Sequence, residues 1–523
     1  MSGLAADFPI VSLITFLPLA GALLLFFIRG KSVRAVRGVT LTVSLATLAL
    51  ALGLFFGFSG DSGLPEFVER ASWLGRGIDY NVGVDGISLF LVLLAALLTP
   101  VALLSSWRAV DERVREFSAF MLLLETGMIG VFVSLNLFLF YVFWEAMLIP
   151  MYFLIGIWGG RRRVYATMKF VLFTMFGSLL MLVGIFVLHA AYFRAMGHYS
   201  LAIADLAATP LAPALQTWLF LAFGLAFAVK IPLFPLHTWL PDAHVEAPTA
   251  GSVLLAAVLL KMGAYGFIRL GLPFFPQAGR AFAPALSILA VIGIVYGGLM
   301  ALVQKDMKSL VAYSSVSHMG LIMLAVFSLT PEATEGALFQ MLNHGLSTGA
   351  LFLCVGLLYE RTHTRKIADY GGTAARMPVF AGLFLVSILS SAGLPGLNGF
   401  VGEILCFFGI FGRNKVLAGL AVTTVILSAS YLLWLYRRVM HGPLKDPDDR
   451  RLGDVDRRER ATLIPLVALM LFLGLFPGPI LRKMDAAVSR YLRSLDKRPA
   501  AGLTLSGPAG RAFPKPAAGE REP

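Results

Sequence analysis

The sequence predicts an all-α polytopic membrane protein with about 14 transmembrane helices. Three observations lead there. Hydrophobic residues fill 58% of the 523 positions and charged residues only 14%, with a mean hydropathy of +0.80; soluble domains carry about a quarter charged residues. The apolar residues come in runs long enough for helices of about 20 residues, separated by short polar loops. Four ionisable residues, Glu145, Lys230, Lys261 and Glu403, lie inside such runs. A charge at mid-bilayer costs at least about 2.5–3.5 kcal/mol, so four of them in two signs point to the movement of ions or protons.

Taken in order, spans at 9–28, 36–58 and 84–105 form an N-terminal group within 1–117. Spans at 118–135, 137–158, 166–193, 214–240 and 247–270 form a second group, 118–270, and spans at 281–303, 309–328, 334–359, 378–413 and 416–438 a third, 281–438. A last span, 461–481, falls in segment 461–482. Met1 to Pro18 has no basic region and no small-residue cleavage site, so it reads as part of the first span and not as a removable signal. From Lys483 the segment 483–523 is polar, with Pro-Ala-Ala-Gly and Gly-Pro-Ala-Gly stretches, the composition of a disordered tail.

Two spans are abnormal. The seventh contains Lys230-Ile-Pro-Leu-Phe-Pro-Leu-His237, where Pro232 and Pro235 each remove a helical donor and clash with the preceding turn. The twelfth contains Ala392-Gly-Leu-Pro-Gly-Leu-Asn-Gly399 and is too long for one straight crossing. Unwound backbone at membrane depth is tolerated only where it is buried or lines a wet cavity. One interrupted helix in each half points to an inverted-repeat transporter with discontinuous helices 7 and 12.

The net charge of +13 is distributed in a way that excludes a nucleic-acid surface. Basic residues cluster in alternate loops: Arg29 to Arg37, Arg108 to Arg115, Arg161 to Arg163, Arg361 to Arg376 and Arg437 to Arg460; the Asp61 to Asp79 loop is net acidic. The positive-inside rule puts the basic loops in the cytoplasm and both termini outside, with the basic stretch after Arg482 pulling against that orientation. Cys354 and Cys406 lie in apolar helices without ligand spacing, so neither a disulfide nor a metal is expected.

Lys261, in Val-Leu-Leu-Lys-Met-Gly-Ala-Tyr-Gly, has apolar or small neighbours a turn away on both sides. Taking an ammonium out of water favours its neutral form, which suits a lysine that gains and loses a proton; a lysine that snorkels to the interface is the plainer alternative. Glu145 and Lys230 are of opposite sign on different helices, either a buried salt bridge or a pair with two arrangements that controls Lys261 electrostatically. His318 and His344 lie in apolar runs among Ser314, Ser315, Ser317, Ser347 and Thr348. Histidine can accept a proton on one nitrogen and release one from the other, although a lone membrane histidine more often serves as an interhelical hydrogen-bond partner. His237, Asp242 and His244 beside the first break match no metal motif and read as a proton entrance or a hydrogen-bonded turn. Glu403, just after the second break, reads as the releasing acid, or as a protonated carboxyl bonded to freed backbone. Asp85, Glu125, Lys169 and Lys308 sit nearer predicted helix ends, as anchors or supporting side chains. The sequence shows no dinucleotide fingerprint, Walker loop, CxxC pair or Ser-His-Asp arrangement, so no redox or nucleotide chemistry is expected on this chain.

Several blocks carry a resemblance. Phe143 to Trp158, Lys230 to His244, Val245 to Ser252 and Asp306 to Gly320 look like the antiporter-like subunits of respiratory complex I. Asn343-His-Gly-Leu-Ser-Thr-Gly-Ala-Leu-Phe-Leu353 and Tyr359-Glu-Arg-Thr-His-Thr-Arg365 are most similar to the M (mitochondrial chain 4) type. The resemblance implies 14 helices, with helices 4–8 and 9–13 as inverted repeats, and proton translocation through Glu145, Lys230, Lys261 and Glu403, with His318 and His344 on the same hydrophilic axis. It also implies a place in the membrane arm of a proton-pumping NADH–quinone oxidoreductase, in a cell inner membrane with both termini periplasmic. Sister antiporter-like subunits and small membrane subunits would be its partners, with no nucleic acid. NADH, flavin, iron–sulfur clusters and quinone would be held by other subunits. The same blocks resemble the D-type subunit of multisubunit sodium/proton antiporters, the alternative reading; a purely structural subunit is opposed by the intramembrane charges.

Overall fold

The computed structural model describes residues 8–28, 32–443 and 453–496. Arg29, Lys31, part of the basic loop around 444–452, and 497–523 lie outside the described residues.

The chain begins with α1 (Ile10–Phe27) and α2 (Val33–Gly57), followed by an antiparallel hairpin, β1 (Glu66–Gly75) and β2 (Ile78–Val84). Next come α3 (Leu89–Ser105), α4 (Val114–Val133), α5 (Leu137–Ala146), α6 (Leu148–Trp158), α7 (Arg163–Met196) and the short α8 (Ile203–Ala207). The first broken span is α9 (Pro213–Lys230) with α10 (Trp239–Glu246). The span Thr249–Phe274 runs as α11 (Thr249–Leu254), α12 (Leu260–Gly266) and α13 (Leu272–Phe274), joined by π-helical turns at Leu255–Leu259 and Phe267–Gly271. Then follow α14 (Pro276–Leu302), α15 (Met307–Ser328) and α16 (Pro331–Thr362). The second broken span is α17 (Pro378–Ser391) with α18 (Asn398–Arg413), and α19 (Lys415–Met440), α20 (Arg457–Leu475) and α21 (Gly478–Asp496) complete the chain. Among the described residues eleven helices are long and apolar enough to cross a bilayer. The shorter α3, the broken α17–α18 and the bent α20–α21 make the whole compatible with 14 crossings.

Burial sorts the spans by role. The most apolar windows of Thr249–Phe274, α15 and α16 are 94%, 94% and 100% buried, against 28% for α2 and 39% for α7. The three spans that bear Lys261, His318 and His344 therefore form the centre, and the apolar outer helices shield them. The basic loops gather at one end of the bundle: Arg37 donates to Val110 O, Trp158 to Glu112 O, and Arg361 pairs with Glu459. The hairpin, the α9 start and α21 lie at the other end, where Arg280 donates to Leu495 O at 2.6 Å and Gln277 N to Gln216.

Three details differ from the sequence expectation. An all-α chain was expected, yet the acidic loop after α2 forms a hairpin around Arg76, flanked by Gly75 at φ 73° and Gly77 at φ 79°, which only glycine adopts freely. Glu69 of β1 accepts from the Val11 and Ser12 amides and so fastens the hairpin to the first turn of α1. The stretch from Lys483, expected to be disordered, is instead helical as far as Asp496, in an α21 that lies at 70° to α20; the rest of the expected tail lies outside the described residues. The apolar residues of α21, Ile480, Met484, Ala487, Val488, Tyr491 and Leu495, recur every three or four positions and are buried, an amphipathic pattern hidden by its polar composition. Finally, Asp85, Lys169 and Lys308 do lie near helix starts, but Asp85 and Lys308, like Glu125, are buried and do not reach an interface; only Lys169 stays partly exposed, paired with Asp242.

Candidate proton-conducting axis

Four of the six residues expected to move protons lie side by side in one row at the centre of the bundle. Lys261 Nζ lies 2.6 Å from His344 Nδ1. The His344 and His318 rings follow with centroids 5.6 Å apart, and His318 Nδ1 lies 3.6 Å from Glu403 Oε1. All four side chains are buried. The order is Lys261, His344, His318, Glu403, so the row crosses from the first half of the chain to the second through α16 and α15.

Local backbone irregularities set these positions. Each π turn inserts a residue and alters the i to i−4 ladder. The one before Lys261 leaves Ala256 O to accept from Lys261 Nζ at 2.5 Å. Lys261 thus has a carbonyl on one side and an imidazole on the other, a geometry that serves the neutral amine as well as the ammonium. At the second break Gly393 (φ 75°) and Gly396 (φ 90°) turn the chain, and Gly393 packs directly against the Glu403 carboxylate. Asn398 stabilises the restart of the helix: its carbonyl accepts from Asn343 Nδ2 at 2.7 Å and its side chain from Ser390 Oγ at 2.6 Å, with Ser390 in turn 2.6 Å from Ser347.

The remaining pair, Glu145 and Lys230, is not in contact. Among the described residues no ion pair joins them; Lys230 Nζ sits 5.1 Å above the Trp144 ring, and Glu145 faces Ser178 on α7. A cation held on an indole face is a second resting place for the lysine, worth roughly 0.5–2 kcal/mol.

The entrance candidates separate. Asp242 pairs with Lys169 at 2.7 Å and lines a cavity of about 470 Å³ at the basic-loop end, with Glu246, Ser309 and Tyr313. His237 packs against Phe234 and Tyr296 nearby. His244 is fully buried, stacked on Phe352 at 4.6 Å, and lies within electrostatic reach of both Lys308 and Lys261. Lys308 Nζ donates to Ala247 O at 2.6 Å. This brings His244 and Lys308 between the basic-loop end and Lys261. Glu125 is buried on α4 with neither carboxylate oxygen hydrogen-bonded among the described residues. A cavity of about 670 Å³ lined by Arg280, Arg413 and Leu417 lies at the opposite end and touches none of the row.

Sequence reasoning passed over four contributors. Tyr431, fully buried on α19, faces Glu403 and Ser314. Gln340 and Asn343 press on Gly402 beside Glu403 so closely that no Cβ fits there. Arg269 is an arginine inside an apolar run, Gly-Phe-Ile-Arg-Leu-Gly-Leu, and its charge alone was the signal.

The family model for NADH:quinone oxidoreductase/Mrp antiporter transmembrane proteins matches residues 134–428. The chain is 47% identical over 499 residues to NADH-quinone oxidoreductase subunit M of Rhodobacter capsulatus, covering 93% of this chain and 96% of that one. It superposes with a TM-score of 0.84 and 35% identity on a chain of respiratory complex I from Thermus thermophilus with bound NADH, covering 93% of this chain and 99% of that chain. A chain of the Mrp complex from Dietzia sp. shares the fold, with a TM-score of 0.81 at 22% identity over 95% of this chain and 100% of that chain.

Proposed function

The chain belongs to the NADH:quinone oxidoreductase/Mrp antiporter membrane family, on its subunit M branch, and from that premise we propose that it is a proton-translocating membrane-arm subunit of an NADH–quinone oxidoreductase. Protons travel from the cytoplasmic, basic-loop end to the periplasmic end, through a multi-pass protein of the inner membrane. The observation that carries the reading is the buried row Lys261, His344, His318, Glu403, hydrogen-bonded at its first step and in close approach at the next two. Sister antiporter-like subunits flank the chain, and oxidation of NADH and reduction of quinone take place on other subunits.

A proton enters beside Asp242, passes His244 and loads Lys261. Lys261 shares it with His344 Nδ1, and the imidazole releases one from Nε2 towards His318. His318 Nδ1 faces the Glu403 carboxylate, the last acceptor before the outside. Movement of Lys230 from the Trp144 ring to Glu145 changes the field at Lys261 and serves as the control step. A linkage of about 1–3 kcal/mol changes proton occupancy roughly 5–150-fold, enough to switch loading. The sodium/proton antiporter reading has less support, since the Mrp chain shares the fold at only 22% identity.

The experiment is NADH-driven proton uptake by vesicles that carry Lys261→Met. The complex assembles and pumping by this subunit is lost; normal pumping with that substitution overturns the reading. Co-purification with flavin and iron–sulfur subunits, as against small hydrophobic partners alone, separates the oxidoreductase from the antiporter.

A further inference from the structure

Outward from Lys261 the same span carries Tyr265 and Arg269, four and eight residues on, the second within a π turn. Tyr265 is fully buried, its ring edge-on to Phe132 at 5.3 Å and its hydroxyl donating to Phe132 O at 3.0 Å. Arg269 Nε donates to that hydroxyl at 3.1 Å, and Nη2 donates to Asp85 Oδ1 at 2.6 Å. Asp85 Oδ1 also accepts from the Ile87 and Ser88 amides, both at 3.1 Å, so the carboxylate is held rigidly at the junction of hairpin and α3. Asp85 and Arg269 are 5% and 13% exposed, which leaves the pair little water to exchange with.

We infer that Tyr265, Arg269 and Asp85 form an outward seal that denies the Lys261 proton a direct exit through the first half of the protein and sends it sideways to His344. The inference rests on the proton-translocating reading above. The chemistry is one of committed groups. The only hydroxyl proton of Tyr265 is given to a backbone carbonyl, and the hydroxyl oxygen accepts from a guanidinium. An arginine side chain stays protonated in proteins and has no acceptor to offer. The polar groups one and two turns outward of Lys261 therefore end on a fixed cation and hold no free acceptor for its proton, while the Phe132 ring packs against the buried tyrosine. The second half is built differently. Between Glu403 and Arg413 at its outer end, α18 bears no charged residue, so nothing equivalent stands over the releasing acid on its own helix. A pump with two half-paths needs one closed to the outside and the other open to it, and this asymmetry matches that need. Tyr265, Arg269 and Asp85 are positioning residues, not carriers.

The test uses the whole complex in sealed vesicles. A pH gradient is built with NADH, turnover is stopped, and the decay of the gradient is followed. Arg269→Met is expected to assemble, to oxidise NADH, and to collapse the gradient at least several-fold faster than the parent; Arg269→Lys restores part of the tightness. Asp85→Asn, which keeps the shape of the side chain and removes the counter-charge, shows the same leak in milder form and carries the test if Arg269→Met does not assemble. The leak disappears when Lys261→Met is added to either variant, because the leaking proton still passes through that amine. Vesicles that stay as tight as the parent overturn the inference. So does a leak that survives Lys261→Met, which is damage to the bundle and not an opened path. Normal pumping by Lys261→Met alone instead overturns the proton-translocating reading itself.

Discussion

His318 joins the two halves of the row, and its replacement by phenylalanine and by alanine gives different answers. The ring is buried, stands 5.6 Å from His344 between centroids, and has Nδ1 3.6 Å from Glu403. Phenylalanine keeps the aromatic contact and fills the space but has no nitrogen, so the gap from His344 to Glu403 spans several hydrogen-bond lengths with nothing to carry a proton. A positioned acid–base group contributes about 10²–10⁴ in rate, equivalent to about 2.7–5.4 kcal/mol of barrier. His318→Phe is accordingly expected to lower proton transfer through this subunit at least 10²-fold. Alanine opens a polar-walled space of the order of one or two waters, and water bridges restore part of the flow. The assay is the ratio of protons moved to NADH oxidised in reconstituted vesicles, with assembly followed in parallel. His318→Phe that pumps like the parent, or His318→Ala that is more defective than His318→Phe in an assembled complex, refutes the order of the row.

Gly393→Ala tests the second break. A side chain at φ 75° costs about 1–2 kcal/mol, and the new methyl meets the Glu403 carboxylate; pumping falls while assembly survives, and unchanged pumping shows that the turn does not position Glu403. Asp456 tests the cap of α20 at the basic-loop end, where it closes a capping box with Glu459. Burial pushes its carboxyl up, but the Glu459 amide, the charges of Arg458 and Arg108, and the Arg458 amide together hold it below the usual carboxylate range. A lowered folded value contributes stability above the unfolded value and loses it as pH falls through the folded one. Amide-exchange protection of the first α20 turn therefore weakens on acidification. Asp456→Ala weakens it at neutral pH by about 0.5–2 kcal/mol, and Asp456→Asn retains the cap without the pH dependence. Equal protection in all three chains contradicts the assignment.

The spans and the four charges were legible in the sequence because an ionised side chain stands out in an apolar run. Their connection was not. Lys261 and His344 meet across 83 residues, and the packing of α11 and the π turn Leu255–Leu259 on α16 brings them together. The breaks were visible as Pro232, Pro235, Gly393 and Gly396, while the partners that stabilise the restart, Ser390 and Asn343, are ordinary polar residues with no periodic signal. Arg269 escaped notice because it lies one residue inside the expected end of its span, where an arginine reads as an anchor. The pairing of Glu145 with Lys230 followed from charge alone, whereas the indole face of Trp144, one residue from Glu145, competes for the same lysine.

The central claim is that one proton path runs from Lys261 through His344 and His318 to Glu403. The most direct measurement is a density map of the assembled, active complex that resolves water around these side chains. The account predicts ordered water or direct contact between His344 Nε2 and His318, and again between His318 and Glu403. A dry gap closed by apolar side chains at either step, in a complex that pumps, contradicts it.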